Sequence, residues 1–175
     1  VASWDNLTTK SIIRPMPDRV LVWNDIHREE AISIHGVPPA RIVVTGAQCY
    51  DHWFDWKPST TREDFCRKVG LDPARPFLLY VCSSLFDNVP EWPHLREWLR
   101  WVRPLDAGVL IRPHPVRMAE WKDADLSEFR NVALFPRTGL LPISRESKSD
   151  YFDSLHHSAG VVGINTSALL ESAIV

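Results

Sequence analysis

The sequence predicts an α/β protein with a Rossmann-like architecture, a mostly parallel sheet with flanking helices. Three observations lead there. Short apolar runs rich in Val, Ile and Leu alternate with stretches of helical period. Gly, Pro or capping residues bound most of these segments. Polar clusters follow three of the apolar runs directly, and the C-terminal ends of strands are where open parallel sheets bind their ligands.

Arg19-Val20-Leu21-Val22-Trp23 reads as a buried strand. Asn24 or Asp25 caps a helix over Ile26 to His35, Gly36 stops it, and Pro38-Pro39 makes the turn. Arg41 to Thr45 is the next strand, ended by Gly46, which completes a strand–helix–strand unit. Asp51 to Thr61 has no clean period and is expected to be a linker. Thr60 or Thr61 caps a short helix from Arg62 to Val69, closed by Gly70, and Leu71-Asp72-Pro73 turns the chain.

Phe77 to Cys82 is a continuous apolar run, as suits a strand covered on both faces, and Ser83-Ser84 follows it. A helix is expected over Glu91 to Val102, with Trp92, Leu95, Leu99 and Val102 on one stripe. Gly108 to Ile111 is a strand that runs into Arg112-Pro113-His114-Pro115. Met118 to Phe129 is expected to be helical, Asn131 to Phe135 a strand closed by Pro136, and Arg137 to Ser147 a loop. Ser149 to His157 is expected to be a helix carrying Tyr151, Phe152 and Leu155 inward. Gly160 to Ile164 is the last strand, and Asn165-Thr166-Ser167 caps a helix beginning at Ala168.

Composition narrows the function classes. Twenty Lys and Arg against 22 Asp and Glu give a net charge of −2, so no basic field exists to hold nucleic acid. A bound anion must be held by local features instead. The three cysteines form no CxxC pair, which fits reduced thiols. No signal peptide is visible, and no apolar run approaches the ~18 residues of a membrane span. Val1 and Val175, the latter inside an apolar run, are expected to be cut ends. Most of the eight tryptophans are expected to pack in cores. No P-loop, GxGxxG or GxSxG pattern occurs, and the His and Cys residues lack the spacing of a zinc site, so no metal and no cofactor are expected.

Four clusters carry candidate chemistry. Asn165-Thr166-Ser167 would present helix-end amides and hydroxyls to a phosphate, with Glu171 one turn on to accept from a ribose. In Arg112-Pro113-His114-Pro115, two prolines hold His114 on extended backbone, and Arg112 and Arg117 add charge-assisted donors. Ser83 and Ser84 would let a ligand approach the backbone. Ser3 to Lys10, with Trp4 and Asp5, is a polar loop able to face a cleft. Each has a structural alternative as a cap or turn.

The order strand–Ser-Ser, Arg-Pro-His-Pro, then a Gly-containing strand leading to Thr-Ser and Glu resembles the C-terminal half of GT-B glycosyltransferases. The nearest patterns are bacterial surface-polysaccharide enzymes with His-Pro and Ser/Thr-Ser motifs and the glycerophosphotransferases of teichoic acid synthesis; UDP-N-acetylglucosamine 2-epimerases share the architecture. Arg41 to Gly46 followed by Asp51 is similar to the end of a GT-B N-terminal domain. The resemblance implies residues 1–57 as the end of an acceptor-side domain plus linker, and 58–175 as an incomplete donor-binding domain. It implies His114, Thr166 and Ser167 on the donor phosphates, Glu171 on the ribose, and Ser83 and Ser84 lining the nucleotide site, with Arg112 beside them. Asp5 is the one candidate for a catalytic base. The implied function is transfer of a sugar, or a sugar-alcohol phosphate, from a nucleotide-activated donor to a glycan acceptor, without a metal. Alternatives on the same fold are a nucleotide-sugar epimerase or hydrolase and a non-catalytic α/β domain binding a nucleotide sugar or a protein. The implied location is the cytoplasm or the inner face of the membrane, with peripheral membrane association of the whole protein.

Overall fold

The computed structural model describes residues 1–10, 12–84, 90–121, 124–137 and 141–175. The chain forms two compact units, Val1–Asp55 and Trp56–Val175.

In the first unit, strands β1 (Val20–Val22) and β2 (Ile42–Val44) pair in parallel, Val20 opposite Ile42 and Val22 opposite Val44. Helix α1 (Asp25–Ser33) connects them. Asn24 Oδ1 caps it by accepting from the His27 amide at 2.9 Å. Gly36, at φ 65, turns the chain out of it in the left-handed region. Leu7, Val20, Val22, Ala31 and Val37 form the core. Two histidines hold the opening segment: His27 Nε2 lies 2.9 Å from the Trp4 carbonyl and His35 Nε2 2.6 Å from that of Leu7. The stretch expected as a linker begins instead with helix α2 (Asp51–Asp55), whose Trp53 is buried. Five residues are too few to show a helical period, so tertiary burial of one Trp decides the conformation.

In the second unit, helix α3 (Arg62–Val69) is capped by Thr61 Oγ1 on the Asp64 amide and ends at Gly70, φ 85. Strands β3 (Phe77–Val81), β4 (Gly108–Arg112), β5 (Val132–Leu134) and β6 (Gly160–Gly163) form one parallel sheet in the order β5-β4-β3-β6. Helix α4 (Trp92–Val102) links β3 to β4, helix α5 (Arg145–His156) links β5 to β6, and helix α6 (Ala168–Ile174) follows β6. The fold is α/β, with parallel sheets and flanking helices.

The pleat assigns the faces. Tyr80, Cys82, Val109 and Ile111 join Leu95, Leu99 and Trp121 in a core on the α4 side. Their neighbours Phe77, Leu79, Val81, Leu110 and Arg112 alternate to the opposite face. There Phe65 of α3 meets Phe77, with ring centroids 6.2 Å apart. Trp53 and Trp121 are buried, and Trp92 and Trp98 pack on the α4-side core, as expected of most tryptophans. Trp101 and Trp4 are the exceptions, at 78% and 42% exposure.

Two expected boundaries fail. The described residues of Met118 to Phe129 form no α-helix. A 3₁₀ segment, Pro115–Trp121, ends at the buried Trp121, and Arg117 inside it leaves helical backbone at φ −118, ψ 21. Residues 122 and 123 of that stretch, and 138–140 of the expected Arg137–Ser147 loop, lie outside the described residues. Helix α5 starts at Arg145 rather than Ser149, because Ser144 Oγ caps the Ser147 amide at 3.1 Å.

Gly163 sets how closely β6 approaches β3. A Cβ there would sit 2.7 Å from Val81 Cγ2 and 3.0 Å from both the Val81 carbonyl oxygen and Thr166 Cγ2. Gly163→Ala is therefore expected to cost about 1–3 kcal/mol, the range for overpacking in a fitted interior. Urea unfolding of the variant checks this; a loss below about 0.5 kcal/mol would mean that β6 is free to shift.

Candidate functional site

Strands β3, β4 and β5 step outward in one direction, and β6 returns to the other side of β3. The strand order therefore reverses at β3, and the crevice predicted by that topology opens at the C-terminal ends of β3 and β6. The register fixes what borders it. Val81 faces Arg112 on one side and Gly163 on the other, so the chain leaves all three strands at one level. Ser83-Ser84, His114 and Asn165-Thr166-Ser167 all follow that level. The fold thus brings three of the four sequence clusters to one sheet edge.

Arg112 is the most unusual of these residues. Its side chain points to the α5 face, is 9% exposed, and lies over the Tyr151 ring at 4.8 Å. A guanidinium carries five N–H donors. Among the described residues its hydrogen bonding is a single donation, from Nη1 to Ser154 Oγ at 3.1 Å. Burial pulls its pKa down to about 10, against the opposing pull of Tyr151, Asp150 and Glu171. It remains a cation at neutral pH, held where a charge is costly to place.

Glu171 belongs to the same group. Tyr151 Oη donates a hydrogen bond to Glu171 Oε2, so the carboxylate expected to reach a ribose is joined to the ring beneath Arg112. Asp150 forms an ion pair with Lys68. Tyr151, Ser154 and Asp150 were not singled out as site residues from sequence. The i, i+3 and i, i+4 spacing of Asp150, Tyr151 and Ser154 along α5 is the signal that could have found them.

His114 is half-buried, and burial, with the nearby Arg117 cation, lowers its pKa below the ordinary histidine value. Its Nδ1 accepts from the Val116 amide at a long 3.4 Å, which leaves Nε2–H as the donor of the neutral ring. Arg117 pairs with Glu120 at 3.0 Å.

At the β6 end, Asn165 stands at φ 46, a left-handed conformation that Asn tolerates better than most residues. Ser167 occupies the cap position of α6 with helical backbone and makes no side-chain cap; Thr166 Oγ1 instead accepts from the Ala168 amide at 3.4 Å. Ser167 is exposed and Thr166 half-buried. Helix α6 has only seven residues, so its end dipole is small and the hydroxyls matter more than the helix end.

Ser83 and Ser84 differ. Ser84 is exposed, whereas Ser83 is 1% exposed and its amide donates to Glu91 Oε2 at 3.2 Å. Glu91 was not foreseen as part of the site, because an acidic residue at the start of a helix ordinarily reads as a solvated end.

Asp5, in the first unit, is engaged locally. Ser3 Oγ donates to its carboxylate at 2.6 Å and Lys10 Nζ lies 2.8 Å away. Although burial opposes ionisation, these two partners bring the carboxyl below its ordinary pKa, which makes it a weak proton acceptor. Among the described residues, no group of three or more His, Cys, Asp or Glu could hold a metal ion, and no helix is long and apolar enough to cross a membrane.

No protein-family model and no curated protein matches the sequence. Solved structures of the wall teichoic acid polymerase TagF are similar in fold. A variant of it aligns over 90% of this chain at a TM-score of 0.47 and 14% identity. The same variant with CDPG soaked in aligns over 89% at 0.46 and 14%, and the unsubstituted TagF over 89% at 0.46 and 15%. The chain spans 37%, 35% and 36% of those chains.

Proposed function

We propose that the Trp56–Val175 unit binds the diphosphate of a nucleotide-activated donor at the C-terminal edge of its sheet, as the donor half of a GT-B-type transferase. The whole protein would pass a sugar, or a sugar-alcohol phosphate, to a glycan acceptor. One observation carries the reading: a buried cation, Arg112, stands at the strand level bordering the topological crevice with most of its donors uncommitted among the described residues. Such a group is most economically explained by an anion that completes its hydrogen bonding. The neutral His114 would donate Nε2–H to a phosphate oxygen, and Ser84, Thr166 and Ser167 would add hydroxyls. Glu171, through Tyr151, would keep the guanidinium aligned as well as facing the ribose. In the transfer step these donors would stabilise negative charge on the departing nucleotide, which is electrostatic catalysis with no metal needed. The wild-type chain belongs in a calorimetric screen against UDP, CDP, CMP, GDP and ADP, with His114→Ala and Ser167→Ala alongside.

The expected result is one preferred nucleoside diphosphate, about tenfold weaker binding in His114→Ala, and a smaller loss in Ser167→Ala. Binding unchanged by both substitutions would place the ligand elsewhere. Turnover of a nucleotide sugar without acceptor would favour an epimerase or hydrolase, and no binding would overturn the donor site.

A further inference from the structure

Glu91 is 1% exposed, at the start of α4, yet it does not cap that helix. Its carboxylate turns inward under the end of β3. Oε1 accepts from Tyr80 Oη at 3.0 Å and Oε2 from the Ser83 amide at 3.2 Å. One buried acid thereby bridges Tyr80 of the strand and Ser83, which follows the strand's C-terminal end. Titratable or charged groups face it from two elements. Tyr80 and Cys82 face it from β3 and its end, while Glu120 and Arg117 face it from the 3₁₀ segment, with His114 next to Arg117. Glu120 is itself fixed, accepting from the Trp92 amide at 2.8 Å.

We propose that Glu91 is the positioning residue of the Ser83-Ser84 turn, and that loss of its charge loosens this turn at the crevice. The proposal rests on reading Ser83 and Ser84 as part of the nucleotide site. A carboxylate accepts a stronger hydrogen bond from an amide than a neutral carboxyl does. The charged form therefore grips the Ser83 N–H, and the protonated form holds it less tightly. Burial, reinforced by Glu120, raises the Glu91 pKa above the ordinary 4.5 even though Ser83, Tyr80 and Arg117 favour its charge. The sign for stability is the reverse of that for grip. A carboxyl whose folded pKa is raised favours the fold below its unfolded value, and this contribution is lost as pH rises through the folded value. The ionised state thus holds the turn while lowering overall stability, as expected of a residue kept for position.

Backbone amide spectra of the whole chain from pH 4 to pH 8, together with CDP binding, test this in the wild type, Glu91→Gln and Glu91→Ala. In the wild type the Ser83 and Ser84 amides are expected to follow one titration with a midpoint above the ordinary glutamate value. Glu91→Gln should abolish that titration, bind CDP like the protonated wild type, and show a flatter dependence of stability on pH. Glu91→Ala should bind CDP about tenfold more weakly at pH 7, the loss expected when a contacting turn is no longer held in place. An unchanged Ser83 titration in Glu91→Gln would overturn the proposal, as would undiminished CDP binding by a folded Glu91→Ala. Should Glu91→Ala fail to fold, the Glu91→Gln titration decides. A wild type that binds no nucleotide but loses the Ser83 titration in Glu91→Gln would sink the donor-site reading and leave the link between Glu91 and the turn standing.

Discussion

Arg112→Met is expected to weaken nucleotide binding by about 100-fold while leaving the melting temperature unchanged or higher. The two effects separate because the buried guanidinium contributes differently to each. For folding, Arg112 is a desolvated charge with one side-chain hydrogen bond and one aromatic face. An apolar side chain of similar length in such a place is often neutral or stabilising. For binding, Arg112 supplies charge-assisted hydrogen bonds, each worth about 1.5–3 kcal/mol, and two of them account for the expected loss. A merely structural arginine would give the opposite pattern, with a lower melting temperature and unchanged affinity. Parallel calorimetric and thermal measurements on the same preparation distinguish the two.

Asp153→Ala is expected to cost the Trp56–Val175 unit about 3 kcal/mol, or at least about 10 °C in melting temperature. Asp153 is fully buried on α5 and accepts three hydrogen bonds, from the Ser59 amide at 2.9 Å and from the Ser59 and Thr60 hydroxyls, each at 2.7 Å. One turn later His157 Nε2 lies 2.9 Å from the Thr60 carbonyl. The segment entering the unit is thus pinned to α5 at two successive turns, across more than 90 residues of sequence. Alanine leaves those donors without an acceptor, partly compensated by water because Ser59 is exposed. Asp153→Asn should cost less, since its remaining oxygen still accepts. Urea unfolding checks both; a loss below about 1 kcal/mol for the alanine variant would show that this pin contributes little.

The fold was legible where local and tertiary signals agree. The apolar runs at 77–82, 108–111 and 160–164 became β3, β4 and β6; in the two central strands β3 and β4, burial on both faces favours a continuous apolar run, which ends only at Arg112. The caps at Asn24 and Thr61 and the stops at Gly36 and Gly70 were legible because each satisfies a local need of backbone geometry. Helix α2 and the 3₁₀ segment were not, because each is short and irregular and buries one tryptophan that no local period marks. The candidate site divides in the same way. Strand ends marked Arg112, His114 and Ser84, since topology alone places them. Sequence spacing alone did not single out the partners that give Arg112 and Ser83 their character, Tyr151, Ser154 and Glu91. They reach the sheet edge from other elements, and their importance lies in burial.

The central claim is that a nucleotide sits at the C-terminal edge of the β5-β4-β3-β6 sheet. A backbone-amide titration of the assigned chain with the preferred nucleoside diphosphate tests it most directly. Perturbations concentrated at Ser84, Arg112, His114, Thr166 and Ser167 are the predicted result. Saturable perturbations confined to the opposite edge of that sheet, around Gly108 and Asn131, or to the Val1–Asp55 unit, would contradict it.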